Sequence, residues 1–456
     1  MSKPPLWDHQ AAALKASAGR PATLLHMGLG TGKTRVACEL LEQWRVGRQQ
    51  WRVRRVIVIC PLSVVPTRRE EMAKYAERDW LLCPMHKMST AKKRKLVEQV
   101  ILESRTSGRP LMLTINFESV WREPLASYLR KAGFEAVIVD EAHRIKSPRG
   151  VASKYLAKLG RTADFRLALT GTPMPSGPLD VFGLMRYLSP DVFGESFVRF
   201  RNRYAKLGGF GGKEVVGFRN IEELTAKMSP LTFQVGREVL DLPSATHNIR
   251  HVELGKEALK AYNAVKAGIV AELEDGEITA SNALVQLLRM QQLTSGYAAL
   301  DEQDTKQIDT AKRDELLELF NSMEPGEPVV VFGQFRGDMQ TVHEAAEAAG
   351  RSSLELSGKR REMQEWKDGG ADVLAVQIAS GGAGVDLTRA RYCVYLSTGF
   401  NLGNYVQSLA RCHRPGQTKP VSYYHILARG SIDETVHYAL RHKQNVVDAI
   451  LATLTP

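Results

Sequence analysis

Cysteine is scarce: five residues in 456 (Cys38, Cys60, Cys83, Cys393 and Cys412), no two of them in C-x-x-C spacing. That excludes a disulfide framework, argues against a structural zinc site and suits a reducing compartment. Long hydrophobic runs are missing too, since nothing approaches the ~20 apolar residues that a membrane span needs. The opening MSKPPLWDHQ carries no hydrophobic signal core. The expectation is therefore a soluble protein that stays where it is made, cytoplasmic or, in a eukaryote, nuclear, with no membrane partner. Acidic residues are in short supply: 50 Asp and Glu stand against 62 Lys and Arg, a net charge of +12, which favours a polyanionic partner. The basic residues gather at Arg52/Arg54/Arg55, Lys92 to Lys95, Arg199/Arg201/Arg203 and Lys359 to Arg361, each read as a solvated face and the second as an exposed helix. No low-complexity tract or short repeat breaks the chain, whose length suits two to four domains.

What the chain does carry is a glycine-rich loop, HMGLGTGKT at 26–34. Thr23-Leu24-Leu25 ahead of it reads as a buried strand, and Val36, Leu40, Leu41 and Trp44 behind it recur at helical spacing. Strand, loop and helix in that order make a phosphate cradle, with backbone N–H groups and a helix N-terminus facing the β-phosphate. Lys33 then reaches the β/γ-phosphates and the Thr34 hydroxyl meets Mg²⁺. The strict pattern wants glycine at Met27, so the loop follows the looser G-x-G-K-T form from Gly30 to Thr34. Candidate ATP-binding residues are Met27, Gly28, Leu29, Gly30, Thr31, Gly32, Lys33 and Thr34. The plainer alternative is a glycine-rich turn that binds nothing. Gln10, upstream, has the donor–acceptor pair to read an adenine edge.

Further apolar runs at 56–59, 111–115, 136–139 and 167–169 read as strands buried on both faces of a parallel sheet. Each leads into a polar segment at the strand's C-terminal end, where open α/β sheets bind ligands. After 136–139 come Asp140, suited to holding Mg²⁺, and Glu141, suited to deprotonating an attacking water. The alternative for two adjacent acids is an exposed turn. These units make a nucleotide-binding lobe over 1–240, with a helical insert at about 176–240 around Gly208-Gly209-Phe210-Gly211-Gly212. A linker follows at 241–253. A second α/β lobe spans 254–456, with a helical insert at about 254–305 whose apolar face is Leu284, Leu287, Leu288 and Leu293. Its strands are expected at 329–332, 373–378, 392–396 and 421–426, with no second phosphate loop. The fold class is α/β, two parallel-sheet lobes in tandem with helical protrusions on each.

Residues 407–417, QSLARCHRPGQ, place Arg411 and Arg414 three apart, on one helical face, suited to reaching a γ-phosphate. Together with MGLGTGKT, DEAH (140–143) and TGTP (170–173) they look like the last motif of a superfamily-two helicase motor. More narrowly, the chain resembles the Swi/Snf-like ATPases through DEAHRIKS (140–147), LTGTP (169–173), FRNIEEL (218–224), LDLP (240–243), FGQF (332–335) and 381–388. The resemblance implies two RecA-like lobes with ATP and Mg²⁺ between them, and double-stranded DNA held through its phosphate backbone. It implies that Lys33, Asp140, Glu141, Arg411 and Arg414 are catalytic, with Thr34 and Asp140 on the metal and Gly384 and Asp386 at the nucleotide. His143, Thr170, Thr172 and Gln407 couple the nucleotide to the track, and Ser63, Gln334, Phe335, Ser380, Gly381 and Gly382 contact the nucleic acid. Departures are the extra Gly30-Thr31, the missing double arginine and lysine in TFQVGR (232–237), Asp386 for asparagine, Phe400 for tryptophan and a shortened loop at 357–361. With no accessory domain recognised, they point away from chromatin remodelling and towards a minimal bacterial or phage motor. The function expected is ATP-driven translocation on duplex DNA. The alternatives are a strand-separating DNA or RNA helicase, and a non-catalytic nucleic-acid-binding scaffold.

Overall fold

The structure is a computed structural model that describes residues 4–46, 53–75, 79–175, 177–208, 214–274, 280–299, 305–378 and 385–442. Its contacts divide the chain into Met1–Leu240 and Asp241–Pro456.

The first unit contains β1 (Ala22–Met27), β2 (Arg55–Cys60), β3 (Leu81–Pro84), β4 (Leu111–Asn116), β5 (Ala136–Asp140) and β6 (Phe165–Thr170). A separate antiparallel hairpin, β7 (Ala205–Gly208) and β8 (Glu214–Phe218), follows, and then β9 (Thr232–Val235). The sheet order is β3-β4-β2-β5-β6-β1-β9, with every pairing parallel. The apolar runs are continuous because both faces are covered. In β2, Ile57 and Ile59 enter one core and Val56 and Val58 the other; in β5, Val137 and Val139 oppose Ala136 and Ile138. Between the strands run α1 (Asp8–Ser17), α2 (Lys33–Val46), α3 (Val65–Tyr75) and α4 (Thr90–Ser107).

Three details differ from the sequence expectations. Lys93, expected on an exposed helix, is 1% exposed, and its Nζ donates to Asn116 Oδ1 at 2.9 Å and Ser119 Oγ at 2.8 Å. The segment 176–240 is not purely helical. Short helices Val181–Leu188, Phe197–Tyr204 and Ile221–Met228 surround packed rings of Phe182, Phe193, Phe197, Phe200 and Tyr204, but the chain then returns to the main sheet as β9. Most of the expected glycine loop, 209–212, lies outside the described residues. β3 and β9 were not anticipated: both are four-residue edge strands, and Pro84, which has no N–H to donate, closes β3 where a sheet tolerates it.

The second unit opens on β10 (Ala245–Val252), so most of the stretch expected as linker forms an edge strand paired with the last strand of the sheet. A small hairpin, β11 (Tyr297–Ala299) and β12 (Thr305–Gln307), precedes β13 (Val329–Gly333), β14 (Ser353–Leu356), β15 (Val373–Gln377), β16 (Tyr392–Tyr395) and β17 (Val421–Ala428). The order is β10-β17-β16-β13-β15-β14, again wholly parallel. Val329 and Val331 face one core, Val330 and Phe332 the other. The helices Lys256–Glu274 and Ala280–Thr294 pack on the second of these through Tyr262, Ile269, Leu287, Met290 and Leu293. Leu284, expected on that face, is 39% exposed; Met290, seven residues from Ala283, takes the place one helical stripe away. Among the described residues no helix is long and apolar enough to cross a membrane. All five cysteines are buried thiols.

Candidate ATPase site

Because the first sheet is parallel, β1, β2, β5 and β6 release their chemistry-bearing segments at the same edge. From β1 the chain turns through Gly30 and Gly32, whose φ values of 86° and 85° lie in the left-handed region that a side chain disfavours. Thr31 is fully buried: its hydroxyl donates to the Gly28 carbonyl at 2.8 Å, and its own carbonyl accepts from Gln10 Nε2 at 3.1 Å, with His9 Nε2 2.8 Å away. Gln10 Oε1 accepts from the Trp7 amide at 3.2 Å. One end of the Gln10 amide thus ties α1 to the loop, and the other caps the N-terminus of α1. Gly28 is pressed against the end of β9 and the residues that follow it: its amide donates to Val235 O at 2.8 Å, and an added Cβ would meet Arg237 Cγ at 2.8 Å. The Lys33 ammonium folds back over the loop, 2.8 Å from Met27 O and 3.0 Å from Gly28 O.

The expected metal residues converge on one cation, and that cation is a side chain. Arg68, on α3, sends Nη2 to Asp140 Oδ2 and Nη1 to both Thr34 Oγ1 and Glu71 Oε2. Asp140 is 2% exposed. Burial opposes the charge on Arg68, but Asp140 and Glu71 outweigh it and raise its pKa above the ordinary guanidinium value. Two oxygens aimed at one positive charge are a donor set whose chemistry also suits a divalent cation. Sequence reasoning missed Arg68; the i,i+3 pair with Glu71 was legible, but its direction was not. Among the described residues no group of three or more His, Cys, Asp or Glu could hold a metal by itself.

Glu141 is one of three non-glycine residues with positive φ (51°) among the described residues. Its Oε2 lies 3.4 Å from His143 Nδ1, which is 3.3 Å from Thr170 Oγ1, and that hydroxyl accepts from the Thr172 amide at 3.1 Å. Burial, then the charges of Arg144 and Lys146, lower the His143 pKa to about 4, so the ring is neutral at physiological pH. Glu141, His143, Thr170 and Thr172 are therefore brought together. Ser63 sits exposed in the short turn Leu62–Val64 after β2.

In the second unit, Arg411 lies in the last turn of the helix Leu402–Cys412, while Arg414 lies beyond it, so the expectation of one helical face does not hold. The two still converge. Both donate to Val385 O, at 3.5 Å and 3.4 Å, and Arg414 Nε is buried without a hydrogen-bond partner among the described residues. Asp386 accepts from the Thr388 amide at 3.0 Å and hydroxyl at 2.8 Å. Burial works against its charge, but these bonds and the nearby Arg414 hold its carboxyl below the usual range. Gln407 is half-buried on the same helix as Arg411. Gln334 and Phe335 follow β13, and their amides both donate to Asp338 Oδ2 (2.9 and 2.8 Å), a carboxylate 1% exposed that also accepts from Ser397 Oγ at 2.6 Å. Asp338 was not anticipated. Ser380, Gly381, Gly382 and Gly384 lie outside the described residues.

The profile of the SNF2-related domain matches residues 14–297, and that of the helicase conserved C-terminal domain matches 311–416. The chain belongs to the SNF2-related family. Its relatives include the putative protein p41 of Acyrthosiphon pisum secondary endosymbiont phage 1, 26% identical over 94% of this chain and 94% of that protein. The zebrafish (Danio rerio) chromodomain-helicase-DNA-binding protein 1-like is 25% identical over 93% of this chain, which spans only 41% of that relative's length. Among solved structures, the Pyrococcus furiosus Hef helicase domain matches with a TM-score of 0.58 at 13% identity, covering 96% of this chain and 98% of that one, a likeness of fold alone. The SNF2-related assignment agrees with two tandem parallel sheets and with the RecA-like reading of the lobes.

Proposed function

We propose that this SNF2-related chain is an ATP-driven translocase on double-stranded DNA. The observation that carries the reading is the convergence of Thr34 and Asp140 on one cation beside a phosphate loop and a left-handed Glu141. Lys33 leaves the loop carbonyls for the β- and γ-phosphates. Thr34 and Asp140 would hold the Mg²⁺ of a bound nucleotide, which would supply charge to offset that of the phosphates. Glu141 Oε takes the proton of the attacking water, and neutral His143, held by Thr170, passes the change at Glu141 to the Thr170–Thr172 turn. Arg411 and Arg414 exchange Val385 O for the γ-phosphate, where such arginines contribute about 10³–10⁵ in rate in other phosphoryl-transfer systems. Gln10, Gly384 and Asp386 complete the nucleotide contacts, and Gln407 joins the coupling set.

Ser63, Gln334, Phe335, Ser380, Gly381 and Gly382 are assigned to the nucleic acid. Support comes from the net charge of +12 and from relatives whose names record DNA binding and DNA repair, including a Drosophila yakuba RAD54-like protein at 23% identity. The test is ATP turnover without nucleic acid, then with single-stranded DNA, duplex DNA and RNA. Strong stimulation by duplex DNA is expected, followed by displacement of a triplex strand. Stimulation by single strands or RNA alone would replace this reading with a strand-separating helicase, and no turnover at all would leave the scaffold.

A further inference from the structure

Arg68 is the feature that the proposed cycle leaves unused. Three oxygens from three elements, Thr34 on α2, Glu71 on α3 and Asp140 at the end of β5, meet on its one planar group. The side chains of Arg68 and Asp140 are 13% and 3% exposed, so the pair is shielded from water. A buried carboxylate needs a compensating charge. Lys33 lies over Met27 O and Gly28 O, and the ion pair on Asp140 is to Arg68. A guanidinium and a divalent cation repel one another and cannot share these two oxygens. Glu71, one turn along the same helix, gives the guanidinium a partner to keep when it lets go of the other two.

We propose that Arg68 is a tethered cation that holds the Thr34–Asp140 pair in the nucleotide-free protein, excludes free Mg²⁺ from it, and yields it only to the ion bound to a nucleotide. Arg68 is a positioning residue in this scheme and touches no reacting atom. The inference rests on the reading of Thr34 and Asp140 as the metal pair.

The test follows thermal unfolding of the full nucleotide-free chain in EDTA and over a MgCl₂ titration at constant ionic strength, for the wild type, Arg68→Gln and Glu71→Gln. The wild-type midpoint is expected to ignore Mg²⁺. Arg68→Gln, with Asp140 left uncompensated, is expected to melt lower in EDTA and to regain several degrees saturably with Mg²⁺. Glu71→Gln keeps the Asp140 pair but loosens the guanidinium, and is expected to respond in between. A saturable rise in the wild type equal to that of the variants overturns the proposal, as does a flat response in Arg68→Gln. If Arg68→Gln does not fold, a flat response in Glu71→Gln overturns it. Binding of a fluorescent ATP analogue with Mg²⁺ is measured alongside. Its absence in the wild type removes the metal reading together with the inference, whereas normal binding with identical Mg²⁺ responses removes the role of Arg68 alone.

Discussion

Glu141 is the base of the proposed cycle, and its backbone is held where side-chain-bearing residues seldom sit (φ 51°, ψ 51°). Glu141→Gln retains the carbonyl oxygen beside His143 and removes the base. ATP binding is expected to persist while turnover falls about 10²–10⁴-fold, read by a binding assay and by phosphate release. Arg414→Ala is expected to leave DNA affinity nearly unchanged and to lower turnover by about 10³-fold or more; lost DNA binding with hydrolysis intact would remove Arg414 from the γ-phosphate. His143 has a definite pH signature. With a folded pKa of about 4, it takes up its proton only as the pH falls towards that value, well below an ordinary histidine. His143→Gln is therefore expected to leave the shape of the turnover–pH profile between about 6 and 8 unchanged, whatever it does to its height. A shifted limb near 6.5 in the variant would show that the ring titrates in the working enzyme.

At the scale of elements, what the sequence made legible is what burial writes into it. β2, β4, β5, β13 and β15 are apolar on both faces, so their continuous runs stand out without any knowledge of neighbours. β10 exposes most of its residues and reads as a polar linker; only its pairing with β17 makes it a strand. The phosphate loop and the DEAH turn were legible because their residues are contiguous. The Arg68–Asp140 pair spans 72 positions, and the support of Gln334 by Asp338 and Ser397 has no signature in spacing. Close packing of the helix Val181–Leu188 on the turn Ala142–Ile145 was equally hidden: a Cβ on Gly183 would meet Ile145 O at 2.0 Å. Gly183→Ala is expected to destabilise the first unit by about 1–3 kcal/mol, since backbone and not a side-chain tip must give way. Denaturant titration measures the loss, and turnover should fall with it because the pushed turn carries Glu141 and His143.

At the scale of the whole molecule, two conditions should tell. If phosphates are the grip, DNA affinity falls steeply as salt rises, and a flat response in a filter-binding series would point to base contacts instead. Acid should weaken the second unit. His425 is fully buried and stacked 4.8 Å from Tyr395, with His437 4.4 Å and His247 5.8 Å away. Burial, with the charge of Arg441, lowers His247 and His437 to about 4, and burial with the neighbouring His437 and His247 holds His425 well below the ordinary histidine value. Unfolded histidines bind protons at about 6.5 while the folded ones do not, so stability is full above that pH and drains away as the pH falls towards 4. The denaturation midpoint is expected to be lower at pH 5 than at pH 7.5, and His425→Phe to flatten that slope. The position of β1 between β6 and β9 also sets a timetable for the nascent chain. Val235, which closes the sheet and accepts the Gly28 amide, leaves the ribosome about 200 residues after the phosphate loop, tens of seconds later at ~5–20 residues per second. Through that interval the loop's strand has an open edge and no finished pocket, so nucleotide capture should begin abruptly, in stalled nascent chains, once residues 232–237 have emerged.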